Sequence, residues 1–283
     1  MLSTVTAMNT RLPRCAATLV VAVALAATAC GADRTPPPVA AAAAPAPTIA
    51  PERAVDAPIT PSTTAGETTT TTAVPVDPYE TFVANIVEEV EFLDAFVEPD
   101  GEPARFEFAI TNPTYFGNPL GLMVTDRSDD GRWLKVQIPV RPNGTEAWIR
   151  AEDAEVTSHR FRARVDLTER AVTVWDGPDM VVETVAVIGK PTTPTPLGRF
   201  FVNDLIEKWD TSAYGPYILS LSGFSEAMDT FAGGIPVIAI HGTNRPELMG
   251  GAHSNGCIRI PNDVIRVLAD TVPIGTPVEI VAS

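Results

Sequence analysis

Apolar residues change their spacing along the chain, and the changes divide it into blocks. From Tyr79 to Phe96, YETFVANIVEEVEFLDAF, apolar side chains recur at 82, 83, 86, 87, 90, 93 and 96, with acidic residues between them. Steps of three and four predict a short amphipathic helix, assigned to 79–99. From Ala104 the period shortens. RFEFAI, GLMVTDR, RWLKVQIP and EAWIRAEDAEV are brief apolar runs broken by Pro, Gly and Asp, the pattern of β-strands. DRSDDGRW and RPNGTEAW read as the hairpin turns between them. Beyond Phe161, FRARVDL and AVTVWDG predict a hairpin around Thr168, Glu169 and Arg170. VVETVAVIG, RFFVNDLIE, YGPYILSLSG and PVIAIHG predict further strands. Asn262 is placed to cap a helix over DVIRVLADT, and PIGTPVEIVA to turn at Gly275 and end as a strand. The expected fold class is mainly β, in two blocks (100–157 and 161–283), with one or two short helices.

Neither period appears before residue 79. Arg11 and Arg14 precede an apolar run, Cys15 to Ala27, that is too short to span a bilayer comfortably, so 1–29 reads as a signal peptide. Ala27, Thr28 and Ala29 before Cys30 resemble a bacterial lipobox, which implies that Cys30 is lipidated and that the protein sits on the outer face of the cytoplasmic membrane; the other reading is plain signal cleavage after the small residues, with Cys30 incidental. The following Ala-, Pro- and Thr-rich stretch, 30–78, is expected to be a disordered tether, able to reach on the order of 150 Å when stretched.

Charge narrows the partners. Thirty-five acidic residues against 20 basic ones leave a net charge of −15, which argues against nucleic acid, whose phosphates need a basic face. The cysteines narrow them further. Cys15 is expected to leave with the signal and Cys30 to carry lipid, so Cys257 is unpaired in an oxidising compartment. An exported thiol without a partner is a liability unless it has chemistry to perform.

His241 supplies a candidate partner, 16 residues upstream. A cysteine nucleophile must lose its proton, and an imidazole can take it or hold the thiolate as an ion pair. A third group then has to orient the histidine. The turn Ser254-Asn255-Gly256-Cys257 can offer backbone N–H groups to an oxyanion, and Gly256 allows close approach of substrate. Acyl-enzyme chemistry is one reading of this pattern; a buried structural cysteine is the other.

HGT, then GGAHSNGCIRIPN, then GTPVEIV resemble the catalytic signature of the L,D-transpeptidases, the YkuD-like family, and VIGKPTTPTPLGRFFV (Val187 to Val202) resembles the same family's upstream strand and turn. The resemblance covers about 161–283. It implies that Cys257 is the acylated nucleophile, His241 the general base, and the carbonyl of Gly242 the group that orients it. It further implies that Ser254, Asn255 and Gly256 shape the nucleophile loop, that Arg259 holds a substrate carboxylate or braces that loop, and that SAYGPYILSLSG forms a lid lined by Tyr214 or Tyr217. Many members carry His where this chain has Asn255. His253 is read as solvent-facing or structural, and His159 as a surface residue. The implied substrates are peptidoglycan stem peptides, the implied inhibitors carbapenem-type β-lactams, and no cofactor or metal is implied. The block 100–157 resembles a bacterial SH3-like barrel, with Trp133 and Trp148 read as core residues.

Three rival readings follow from the same residues. His241, His253 and Cys257 are types that zinc accepts, although no second cysteine supports them. A wall-binding lipoprotein without activity would need no thiolate. An L,D-carboxypeptidase would pass through the same thioester, with water in place of the acceptor amine.

Overall fold

In the computed structural model, residues 77–283 are described. The expected signal peptide, Cys30 and nearly all of the tether lie outside the described residues.

The first block is an antiparallel five-stranded sheet of β1 (Thr81–Ile86), β2 (Gly121–Arg127), β3 (Trp133–Gln137), β4 (Glu146–Arg150) and β5 (Ala154–His159). Its order is β4-β3-β2-β1-β5, so β1 is paired on both edges. The helix expected over Tyr79–Phe96 is therefore replaced by a strand and a turn. The reason is tertiary. TFVANI carries β-branched Thr, Val and Ile, and two neighbouring strands satisfy its backbone while Val83, Ala84 and Ile86 enter the core. The apolar positions further along, Leu93 and Phe96, reach the same core from an irregular segment. RFEFAI, expected as a strand, has no strand of its own. Trp133 is buried edge-on to Phe96 with ring centroids 5.0 Å apart, and Trp148 is half-buried at the margin.

The second block begins with a hairpin of β6 (Phe161–Asp166) and β7 (Ala171–Asp176), followed by β8 (Asp179–Val185) and the short β9 (Ile188–Gly189). The chain continues through β10 (Gly198–Glu207), β11 (Tyr217–Phe224), β12 (Val237–His241), β13 (Ala252–Ser254) and β14 (Ile258–Arg259). It ends with helix α1 (Asn262–Thr271) and β15 (Pro277–Val281). Eight of these strands form one sheet in the order β14-β12-β11-β10-β15-β6-β7-β8, and β9 pairs with β13. Helix α1 packs Ile265 and Leu268 against β11 and β12. Its first residue, Asn262, makes no capping bond within the helix, contrary to expectation; its side chain is used elsewhere.

β10 joins the two blocks by the two-residue period of a strand. Phe200 and Val202 enter the core of the second block, and Phe201 between them enters the core of the first. Polar bonds close the seam: Gln137 Nε2 donates to the Arg199 carbonyl at 2.8 Å. The Asn143 side chain bonds both the N–H and the carbonyl of Phe224, at 2.8 and 2.9 Å. His159, expected at the surface, is half-buried between β5 and β6, where its Nδ1 accepts the Phe161 N–H at 3.2 Å.

Candidate active site

β12 delivers His241 to its last position, and parallel pairing with β14 sets His241 opposite Arg259 and Ile240 opposite Ile258. Cys257 immediately precedes β14, so this register brings the thiol segment alongside the histidine strand. Ile238 and Ile240 alternate into the core and anchor β12. His241 is only 2% exposed, and its Nδ1 lies 2.6 Å from the carbonyl oxygen of Gly242. A carbonyl can only accept, so Nδ1 carries the proton and Nε2 keeps a free lone pair.

Burial pushes the His241 pKa down to about 4; the carbonyls of Gly242 and Tyr214 pull the other way, while the positive field of Arg259 adds to the fall. Burial likewise pushes the Cys257 thiol above its ordinary value, against the lowering effects of the Ala239 main chain and Arg259. At neutral pH the two groups therefore rest as thiol and neutral imidazole. Of the two arrangements open from sequence, proton acceptor or ion pair, this environment favours the proton acceptor.

Cys257 is the free cysteine among the described residues, half-buried, with Sγ 3.8 Å from the Val237 carbonyl. Its loop is held from within and from below. Ser254, 1% exposed, donates its hydroxyl to the Cys257 carbonyl at 2.6 Å and accepts the Gly256 N–H at 3.1 Å. Gly256 adopts φ +114°, a region that side chains rarely enter, and an added Cβ would meet Ile238 at 3.0 Å. The Gly256 N–H is already given to the Ser254 hydroxyl.

Below the loop, the Thr195 hydroxyl donates to the Gly256 carbonyl at 2.8 Å and accepts the Gly189 N–H at 2.9 Å. Lys190 Nζ donates to Asn255 Oδ1 at 2.9 Å, and the Lys190 N–H bonds the Ser254 carbonyl at 3.0 Å. Thr195 and Lys190 were not singled out from sequence, although both stand in the VIGKPTTPTPLGRFFV stretch that carried the resemblance. Asn262 was read as a helix cap. Its Oδ1 instead accepts the Thr243 N–H at 2.7 Å and so holds the loop that follows His241.

Arg259 places its buried Nε with no hydrogen-bond partner among the described residues, and its charge reaches His241, Cys257 and Tyr214. Tyr214 lies edge-on to the imidazole, ring centroids 4.9 Å apart, in the loop between β10 and β11. Tyr217 does not line a lid. It belongs to β11, a central strand of the sheet, and its carbonyl accepts the Gly242 N–H at 3.3 Å. His253 is exposed on β13 and joins none of these contacts. Among the described residues, no three His, Cys, Asp or Glu side chains converge as metal ligands do.

Residues 160–280 match the family model YkuD, the L,D-transpeptidase catalytic domain. The YkuD protein of Bacillus licheniformis is 33% identical over 120 residues, which cover 42% of this chain and 65% of that protein. Its Bacillus subtilis counterpart is 38% identical over 93 residues, covering 33% of this chain and 49% of that protein. A solved structure of the catalytic domain of the E. faecium L,D-transpeptidase, acylated by ertapenem, is 29% identical, covers 43% of this chain and 96% of that one, and superposes with a TM-score of 0.33. Over residues 160–280 the second block is thus similar to the L,D-transpeptidase catalytic domain, and the chain spans about half to two thirds of the length of the two Bacillus relatives.

Proposed function

We propose that this protein is a peptidoglycan L,D-transpeptidase that works through a thioester on Cys257. The observation that supports it best is the buried imidazole of His241, held by the Gly242 carbonyl, on the strand paired with the segment leaving Cys257. Cys257 Sγ attacks the carbonyl of the L-centre of a diamino acid in a tetrapeptide stem. Its proton passes to His241 Nε2 and then to the departing amine of the terminal D-amino acid, whose C–N bond breaks. The N–H of Cys257 stabilises the oxyanion, and Arg259, with no carboxylate partner among the described residues, receives the carboxylate of the departing residue. In the second half, an acceptor amine attacks the thioester and gives its proton to His241; the C–S bond breaks and the sulfur recovers a proton.

The thiol that takes a stem peptide also opens the strained ring of a carbapenem, which leaves an acyl group on the same sulfur. The small residues before Cys30 support export and a lipid anchor, and the Ala-, Pro- and Thr-rich stretch a tether through which the enzyme reaches the wall. The 100–157 block is assigned an SH3-like bracing role on its sequence pattern.

Intact-mass measurement of the full chain tests the reading. A disaccharide-tetrapeptide or a carbapenem should add a covalent mass to the wild type, none to Cys257→Ala, and add it slowly to His241→Ala. No adduct on a folded wild type would overturn it in favour of a wall-binding protein. An adduct released only to water, never to an added amine, would make the enzyme a carboxypeptidase.

A further inference from the structure

A cavity of about 490 Å³ lies between the irregular 108–120 segment of the first block and the sheet of the second. Its walls are mostly apolar, with Phe108, Ile110 and Phe116 on one side and Leu221, Ile235 and Val237 on the other. None of His241, Cys257, Arg259 or Tyr214 lines it, yet it borders the reaction centre: Val237, a wall residue, is the one whose carbonyl oxygen faces Cys257 Sγ. The donor stem's place is beside the sulfur, His241 and Arg259. A transpeptidase needs a second place for the acceptor.

The polar groups of the cavity say what that acceptor brings. β10 is irregular between Val202 and Asp204, and this bulge lets two consecutive residues, Asn203 and Asp204, line one cavity where a regular strand would send them to opposite faces. Asp204 is 2% exposed, and its carboxylate is bonded by two neutral donors, the Thr114 hydroxyl and the Asn118 amide. Asn203 Oδ1 is buried with no donor among the described residues. Among the described residues, the wall holds no Lys, Arg or His to balance Asp204. A buried carboxylate without a cation, beside an unsatisfied acceptor, favours an occupant that carries positive charge and N–H groups.

We infer that this cavity is the acceptor subsite, and that it takes the amine-bearing stem peptide, gathering its ammonium group by Asp204 and Asn203; the ammonium gives one proton to solvent, and the neutral amine then passes Val237 to the thioester. The inference rests on the transpeptidase reading for the word acceptor, but not for the binding itself.

Calorimetry on the full chain carrying Cys257→Ala separates the two. The probes are a tripeptide stem ending in a diamino acid with a free side-chain amine, and the same peptide with that amine acetylated. The free amine should bind about tenfold more tightly, the equivalent of one modest charge contact, and Asp204→Asn should remove the difference. Ile235→Trp, at the exposed mouth, should weaken both peptides and does not touch the bonds of Asp204 to Thr114 and Asn118. Equal binding of the two peptides, or indifference to both substitutions, would overturn the inference. With Cys257 intact, Asp204→Asn should leave acylation by a carbapenem unchanged and reduce transfer to amine about tenfold relative to water; equal loss of both steps would also overturn it. Failure of the wild type to acylate would instead remove the transpeptidase reading and leave the calorimetric result to stand by itself.

Discussion

His241 Nδ1 and the carbonyl oxygen of Gly242 are 2.6 Å apart, so the imidazole is oriented by the main chain of its own neighbour. No side-chain substitution can delete that acceptor, but its position can be disturbed. A Cβ on Gly242 would collide with Asn262 Oδ1 and lie 3.0 Å from both Gly215 and Pro216. Gly242→Ala is therefore expected to slow acylation of Cys257 by about 100-fold, the scale of a misplaced general base, with the thermal midpoint only slightly lowered. Time-resolved intact mass with a carbapenem checks it.

The pH profile of acylation follows from the same burial. The base must be neutral, and its pKa lies near 4, so the second-order rate should stay level from neutral pH downward and fall only as pH approaches 4. A break near the ordinary histidine value would contradict this. Alkylation of Cys257 by iodoacetamide should rise toward alkaline pH with a midpoint above that of a free thiol.

Stability should carry the same signature. The folded pKa of His241 is depressed, so the unfolded chain binds the proton more readily as pH falls. The contribution is fully present above the ordinary value of 6.5 and is lost progressively toward pH 4, by up to about 3 kcal/mol. Urea unfolding of wild type and His241→Gln at pH 7 and pH 4.5 measures it: the wild type should lose more stability between the two pH values.

The hydroxyls beneath the nucleophile are predicted to matter without touching substrate. Thr195→Val removes the donor to Gly256 and the acceptor for Gly189, both buried, and should cost about 1–3 kcal/mol. Ser254→Ala frees the Cys257 carbonyl and the Gly256 N–H together, and should cost a similar amount. Both should slow acylation more than they weaken non-covalent binding of the stem peptide. Thr195→Ser, which keeps the hydroxyl, should recover most of the rate.

Tyr214→Ala opens the edge of the imidazole that the phenol ring now covers. It should raise the acid break of the acylation profile toward the ordinary histidine value, because the imidazole gains solvent. Tyr214→Phe, which keeps the ring, should leave the break in place.

The candidate nucleophile Cys257, the candidate base His241 and the Gly242 carbonyl could be named from the sequence because they stand in contiguous stretches, HGT and HSNGCIR; the structure adds the contact of His241 Nδ1 with the Gly242 carbonyl. The strands from Phe161 onward were legible too, since apolar residues alternate with the two-residue period of a half-buried strand. Other features required the folded chain. Thr81–Ile86 has helical apolar spacing but lies between two strands that satisfy its backbone, so pairing overrode period. Tyr217 entered the sheet while Tyr214, three residues away, went to the histidine. Asn262 gave its oxygen to Thr243 and not to its own helix, and Thr195 reached Gly256 across 61 positions of sequence. These are hydrogen bonds and burials between distant segments, and they also decide the protonation of the reactive pair. Residue types and spacing determined which groups could react; only the packing around them decided that the pair rests neutral, because desolvation is a property of the surroundings and not of the motif.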